Sequence, residues 1–322
     1  MTSRTLSIGI AVPGPRGSLS GNGVTARRWG KLLGELGHQV TVQTAYAGED
    51  YDVLISLHAM KGAAAIEAFH QRFPERPQIL ALTGTDLYGN LESDPTALRS
   101  LELADRYVVL QPRGLDRLPE ELRGRAVTIH QSLARIERSD PKSAGRFDVC
   151  VLSHLRRVKD PLLTAAAVQR LPSESVIRVT HVGAALEPEL GQNAKKETAI
   201  NPRYRWVGEL EREAALEVLA ASKVLALTSR MEGGANVVSE AIAAGVPVLS
   251  TQIEGSLGIL GEDYPGYFPV GDVRALADLL RRAEIDTEFY ADLQRRMQFL
   301  ASLIDPTRER EAWKRVLASL RG

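Results

Sequence analysis

Glu232 and Glu240 flank a glycine pair in the stretch "SRMEGGANVVSEAIAAGVPV" (229–248). The run "KVLALTS" (223–229) reads as a buried strand and "RMEGG" as a loop. "ANVVSEAIAAG" reads as a helix stopped by Gly245 before a further strand, "VPVLST" (246–251). A helix N-terminus favours negative charge, and its unsatisfied N–H groups suit a phosphate. Glycines let those N–H groups approach a ligand closely. The amides of Gly233, Gly234 and Ala235 are therefore expected to hold a phosphate. Glu232 precedes the glycines and can point into a cleft; Glu240, two turns into the helix, can accept hydrogen bonds from a diol. A hydrogen bond to a charged group is worth about 1.5–3 kcal/mol, enough to select a ribose or sugar hydroxyl. Phosphate in the middle with hydroxyls at both ends is the chemistry of a nucleotide sugar.

A diphosphate leaving group gains charge as its bond to the sugar breaks, so cations must meet it. "SHLRRVKDP" (153–161) supplies Arg156, Arg157 and Lys159 after a strand. No metal device stands in the sequence to do this work instead. Asp50-Tyr51-Asp52 has the D-x-D form but precedes a strand, the wrong end for a ligand. The six histidines are scattered without ligand spacing. Elsewhere, "LHAMKG" (57–62) and "LTGTDLYG" (82–89) follow strands. They place His58, Lys61, Thr83, Thr85 and Asp86 where a second substrate would approach, with His58 a candidate base. "SGNGVTARRW" (20–29) contains G-x-G-x-x-A, yet "PGPRGSLS" separates it from the preceding strand, whereas a dinucleotide fingerprint follows its strand directly. Gly21 and Asn22 are expected instead in a Gly-rich loop that closes over the acceptor.

The elements that must position these groups alternate along the chain. Strand-like runs at 6–12, 38–44, 52–58, 78–83, 106–110 and 126–132 are separated by helical patterns such as 24–37, where Trp29, Leu32, Leu33 and Leu36 form one stripe. "RIERSDPKSAGR" (135–146) is charged, contains Pro and Gly, and has no period, as an interdomain linker does. Alternation then restarts, with strands at 147–153, 176–183, 203–208, 223–229 and 246–251. Helices are expected at 160–171, 211–222, 235–244, 272–284 and 287–304, and after the Asp-Pro of 305–322. Near-continuous apolar strands between helices imply parallel sheets covered on both faces. The fold class is α/β: two Rossmann-like, doubly wound domains facing across a cleft, with ligands at the carboxyl ends of the strands. The expected boundaries are 1–135, a linker at 136–146, 147–304, and a terminal helix at 305–322 crossing back to the first domain.

Composition excludes several classes. Forty basic and forty acidic residues cancel, which argues against nucleic acid and anionic membranes as partners. No apolar stretch reaches the ~20 residues of a membrane span, and no cleavable leader is visible. The lone Cys150 reads as a small buried strand residue and suits a reducing compartment. A cytoplasmic enzyme without stable membrane association is expected.

"EGGANVVSEAIAAGVPVLST" resembles the donor-site motif of the retaining family 4 glycosyltransferases of GT-B fold. The resemblance extends to "LGHQV" after the first helix and to the terminal helix. It implies that Glu232 contacts the donor sugar and Glu240 the ribose, that the loop amides and Asn236 serve the donor, and that an Arg and a Lys neutralise the diphosphate. "TGTDLY", "HLRRVKDP", "NPRYRWVGEL", "SRMEGGANVVSEA" and "LGEDYPGYFPVGD" together resemble the selenosugar synthases of selenoneine biosynthesis. Those enzymes transfer the sugar of a UDP-sugar to selenophosphate, giving a selenosugar and releasing phosphate. The resemblance implies UDP-glucose or UDP-N-acetylglucosamine as co-substrate and Gly208 on the donor side. With no further cofactor and no metal expected, Glu232, Arg156 and Lys159 are the catalytic candidates, joined by His58 from its place at a strand end. Three positions depart from the pattern. His154 stands where the wider family has Arg, "EGSLGIL" (254–260) lacks the usual Glu, and Gly23 replaces a basic residue of the narrower family. The alternatives are a family 4-type O-glycosyltransferase acting on a glycan, lipid or small alcohol and, from other classes, a nicotinamide-dependent dehydrogenase or a two-lobed binding protein.

Overall fold

The computed structural model describes residues 4–14, 21–139 and 145–320. The chain divides into two compact units. Unit 1 comprises Met1–Ser132, Glu232–Asn236 and Asp305–Gly322; unit 2 comprises Leu133–Met231 and Val237–Ile304. The division falls at Ser132 and Leu133 rather than at 135–136. The stretch 136–139 is no separate linker: the Ile136 amide donates to the Ala243 carbonyl at 3.0 Å, inside unit 2. Residues 140–144 of the expected linker lie outside the described residues.

In unit 1, among the described residues, six strands form one sheet. They are β1 (Ser7–Ala11), β2 (Gln39–Gln43), β3 (Val53–Leu57), β4 (Gln78–Leu82), β5 (Arg106–Val109) and β6 (Ala126–Thr128). Their order is β2-β1-β3-β4-β5-β6, and every pairing is parallel. All residues of β3 and β4 are buried, as a sheet covered on both faces requires. Asp52 serves this sheet: its carboxylate accepts the Ser7 amide at 2.8 Å. The helix Gly21–Glu35 turns Ala26, Trp29 and Leu33 onto one face of the sheet. The terminal helix Pro306–Ser319 adds Trp313 to the same core. Trp29 and Trp313 meet edge to face with ring centroids 4.8 Å apart, a pairing worth about 0.5–1.5 kcal/mol beyond area burial.

Unit 2 has β7 (Phe147–Leu152), β8 (Ile177–Val182), β9 (Tyr204–Trp206), β10 (Val224–Leu227), β11 (Val248–Thr251) and β12 (Tyr267–Phe268). The described strands run in the order β12-β11-β10-β7-β8-β9, again all parallel. Read from β9, this is the doubly wound order whose direction reverses between β7 and β10, and ligands bind beyond the strands at that reversal. The helices Leu163–Gln169, Arg212–Ala221, Asn236–Ala244, Val273–Ile285 and Thr287–Leu300 occupy the expected segments. Two helices, Pro188–Ile200 and Glu254–Leu260, and the short β12 were not expected. Pro188–Ile200 is polar along most of its length and buries only Gly191 and Ala194, so it leaves little apolar period to read. Cys150 is buried in β7 and its thiol is pushed up to about 12 by desolvation. It is a packing residue.

Candidate active site

In unit 2 the chain leaves β7 through "SHLRRVKDP" and leaves β10 through "TSR", the two sides of the sheet reversal. Three hydrogen bonds zip these loops together. The Thr228 hydroxyl donates to the Lys159 carbonyl at 2.8 Å. The Arg230 amide donates to the Val158 carbonyl at 2.8 Å, and its guanidinium meets Asp160 Oδ2 at 2.6 Å. Asp160 takes a left-handed backbone with φ of 43°, uncommon for a residue with a Cβ. It caps the single 3-10 turn Arg157–Lys159.

The adjacent arginines diverge. Arg157 is exposed, and its amide and Nε bond Glu187 at 2.8 and 3.2 Å while Nη2 reaches Glu189 at 2.7 Å. Arg156 is half-buried, and its guanidinium enters no hydrogen bond or ion pair among the described residues. Arg156 is thus, of the two neighbouring arginines, the one whose charge is unpaired among the described residues. His154, at the position where the wider family has Arg, accepts the Ala184 amide on Nδ1 at 3.1 Å.

Glu240 is buried and pairs with Arg212 at 2.8 Å. Arg212 opens the helix Arg212–Ala221 and went unnoticed in the sequence, because nothing in "ELEREAAL" distinguishes it from a solvated arginine. Gly208 adopts φ of 80°, where glycine is at ease, and its carbonyl accepts the Gly183 amide at 2.8 Å. A Cβ on Gly183 would stand 2.0 Å from the Ser153 carbonyl oxygen. The ends of β7, β8 and β9 are thereby drawn together. His181 underlies them: the Tyr204 hydroxyl lies 2.7 Å from Nδ1 and the Ser153 carbonyl 2.9 Å from Nε2. Desolvation pushes His181 down to about 4.

In unit 1 the sheet order reverses between β1 and β3, and His58 directly follows β3. Its φ is 75°, which costs an ordinary residue of order 1–3 kcal/mol and marks a constrained site. The Lys61 amide donates to Nδ1 at 3.3 Å, which leaves Nε2–H to donate to the Thr85 hydroxyl at 3.0 Å. Desolvation lowers the His58 pKa, against the pull of Asp86. The imidazole is neutral with both nitrogens engaged, which makes it a brace for the turn in this state. The Lys61 side chain is exposed and Thr83 and Thr85 are half-buried.

Asp86 departs from expectation. It is fully buried, and its carboxylate accepts the amides of Ala59 at 2.9 Å, Thr83 at 3.0 Å and Gly84 at 2.8 Å. It builds the turn. Gly21 and Asn22 also depart: they form the first turn of the helix Gly21–Glu35 and no loop. The Thr25 hydroxyl donates to the Gly21 carbonyl at 2.9 Å, a helical contact. The buried stripe already starts at Gly23 and Thr25, so packing outweighs the glycines' low propensity. The rest of the expected loop, 15–20, lies outside the described residues.

The loop Glu232–Asn236 belongs to unit 1, which changes the reason for its glycines. A Cβ on Gly233 would stand 2.4 Å from the Thr83 carbonyl oxygen, and one on Gly84 would stand 2.6 Å from the Gly233 nitrogen. A Cβ on Gly234 would meet that of Leu110 at 2.6 Å. Both glycines are demanded by close approach to the ends of β4 and β5. Asn236 is a further correction: its side chain is spent on the first helix. Oδ1 accepts Arg28 Nη1 at 3.1 Å, and Nδ2 donates to the Gly21 carbonyl at 3.1 Å. Gln131, also missed, donates to the Gly234 carbonyl at 2.9 Å. No group of three or more His, Cys, Asp or Glu residues among the described residues is placed to hold a metal ion. No described helix is long and apolar enough to cross a membrane.

Two doubly wound parallel units with these strand orders define the GT-B fold, and solved structures of that fold superpose along almost the whole chain. HepE of Anabaena, solved with UDP-glucose, has a TM-score of 0.77 at 18% identity, over 98% of this chain and 100% of that one. Sucrose-phosphate synthase from Thermosynechococcus elongatus has a TM-score of 0.79 at 16% identity, over 98% and 99%. A glycosyltransferase from Rickettsia africae ESF-5 has a TM-score of 0.74 at 12% identity, over 99% of each chain. Residues 133–298, just over half of the chain, match the family described as Glycosyl transferases group 1. The chain belongs to that family and is a glycosyltransferase. No curated protein matches its sequence. Membership sets aside the dehydrogenase and binding-protein alternatives.

Proposed function

We propose that the protein transfers glucose or N-acetylglucosamine from a UDP-sugar to selenophosphate. The observation that carries the donor half is the half-buried, unpaired Arg156 beside Lys159 at the β7/β10 reversal. A diphosphate there completes the guanidinium's bonding, and charge-assisted hydrogen bonds to it strengthen as UDP departs. Glu240, oriented by Arg212, holds the ribose, and Glu232 reads the sugar. HepE of Anabaena, a protein of the same fold solved with UDP and with UDP-glucose, supports the choice of UDP.

For the acceptor, the support is the combined resemblance of "TGTDLY", "HLRRVKDP", "NPRYRWVGEL" and "LGEDYPGYFPVGD" to selenosugar synthases. Selenium attacks the anomeric carbon as the bond from that carbon to the β-phosphate oxygen breaks, and UDP leaves with the electron pair. Water then cleaves the Se–P bond, giving inorganic phosphate and a sugar selenol. Selenophosphate is already a strong nucleophile, so the reaction needs no general base, in keeping with His58 as a brace. Lys61, Thr83 and Thr85 are the acceptor-side contacts, and the reaction proceeds without a metal, in the cytoplasm. The second reading, an alcohol acceptor, is favoured by the likeness to sucrose-phosphate synthase.

Purified protein, a UDP-sugar and selenophosphate should release UDP and yield the sugar selenol by mass spectrometry. Glu232→Ala should lower that rate roughly ten- to 150-fold, the worth of a hydrogen bond to a charged group. UDP release with alcohols but not with selenophosphate would select the second reading.

A further inference from the structure

We infer that Arg28 and Glu309 are positioning residues for the loop that carries Glu232, acting through Asn236. The inference rests on Glu232 reading the donor sugar. Each loop residue from Gly233 to Asn236 except Ala235 has its own seat in unit 1. Gly233 lies on the turn at Gly84, Gly234 on Leu110 and Gln131, and Asn236 on the first helix. The first two seats are backbone or apolar contacts that glycine makes passively. The third is a chain of oriented charge.

Glu309, from the terminal helix, is 2% exposed. Its carboxylate accepts Trp29 Nε1 at 2.7 Å, the Ser132 amide at 3.0 Å and the Ser132 hydroxyl. It also accepts Arg28 Nε at 3.2 Å. A carboxylate held from so many sides cannot turn, so it fixes the plane of the Arg28 guanidinium. That plane presents Nη1 to Asn236 Oδ1 at 3.1 Å. Asn236 Nδ2 then donates to the Gly21 carbonyl and, at 3.4 Å, to the Thr25 hydroxyl. Asn236 opens the helix Asn236–Ala244, so fixing its side chain fixes the point where the loop ends. Arg28 Nη2 is buried and has no partner. The guanidinium is therefore aimed by two of its three nitrogens, one on Glu309 and one on Asn236. Only a rigid planar fork serves both at once; a lysine has a single charged nitrogen.

The test uses Asn236→Ala and Arg28→Lys in the full chain, with hydrogen exchange followed by mass spectrometry. Amides of the 232–236 loop should exchange at least tenfold faster in both variants, while those of β10 stay within twofold of wild type. With UDP-sugar, kcat should fall about tenfold while the Kd for UDP, set by unit 2, changes less than twofold. A role confined to folding would lower the melting temperature and leave kcat per folded molecule unchanged. Loop exchange within twofold of wild type in Asn236→Ala overturns the inference, as does faster exchange with unchanged kcat. If Arg28→Lys does not fold, Asn236→Ala decides. Exchange needs no substrate, so wild-type protein that releases no UDP with selenophosphate sinks the proposed acceptor and leaves this result standing.

Discussion

The strand ends of the two sheets carry polar side chains of similar kinds, and they differ in how those side chains are bonded. In unit 1, His58 has both ring nitrogens engaged and Asp86 takes three backbone amides. In unit 2, backbone bonds fix the loops around Lys159 and Arg230, and the Arg156 guanidinium stays unengaged among the described residues. A polar group already satisfied by its own chain gains little from a ligand, whereas an unpaired, half-buried cation gains a full charge-assisted bond. The first pattern marks a scaffold and the second a binding group.

Acid should produce the largest effect, through histidines that are buried and bonded within both units. The folded pKa of His181 is depressed to about 4 against an ordinary 6.5. The unfolded chain therefore binds the proton first. The associated stability is fully present above pH 6.5 and is lost as pH falls toward 4, by on the order of 3 kcal/mol. Denaturant midpoints across this range should fall, and His181→Asn should flatten the dependence. His58 and His130, both depressed by burial, act in the same direction in unit 1. A pH dependence that persists unchanged in His181→Asn would show that His181 is no part of the scaffold beneath β7 to β9.

Next in size, Asp86→Asn leaves amide donors of the turn without an acceptor, at a cost of about 1–3 kcal/mol. The unfolding midpoint should drop while UDP affinity, measured by calorimetry, holds. Weakened UDP binding with an unchanged midpoint would make Asp86 a ligand contact and break the comparison. Smallest is the contrast between neighbours. Arg156→Ala should lower kcat roughly tenfold, whereas Arg157→Ala, removing an exposed ion pair, should stay within about twofold. Equal losses would mean that the exposed pair opens to serve the ligand.

Much of the fold was legible because it repeats. β3, β4 and β10 are continuous apolar runs, and the helix after Gly21 shows its stripe through Trp29, Leu32 and Leu33. The helix Pro188–Ile200 was not legible, since a mostly polar surface helix carries little periodic signal. In the site, Glu232, Glu240 and Lys159 stand out by type and by their place after strands. Arg212, Arg230, Arg28 and Gln131 do not, because each acts through a partner far away in the chain.

The sequence by itself determined the alternation of strands and helices, the motif around Glu232 and the family to which the chain belongs. These are local properties: apolar period, residue type and short spacing survive in one dimension. Only the tertiary structure decided that Arg157 is paired while the Arg156 guanidinium is not among the described residues, and that Asp86 builds a turn. It also decided that Asn236 anchors a loop, and that Gly233 and Gly234 are glycines because Gly84 and Leu110 press against them. Each of those outcomes depends on a hydrogen bond or contact that folding closes. For Gly84 with Gly233, Arg28 with Asn236, and Arg157 with Glu187, the partner lies far along the chain, where no periodicity reports it.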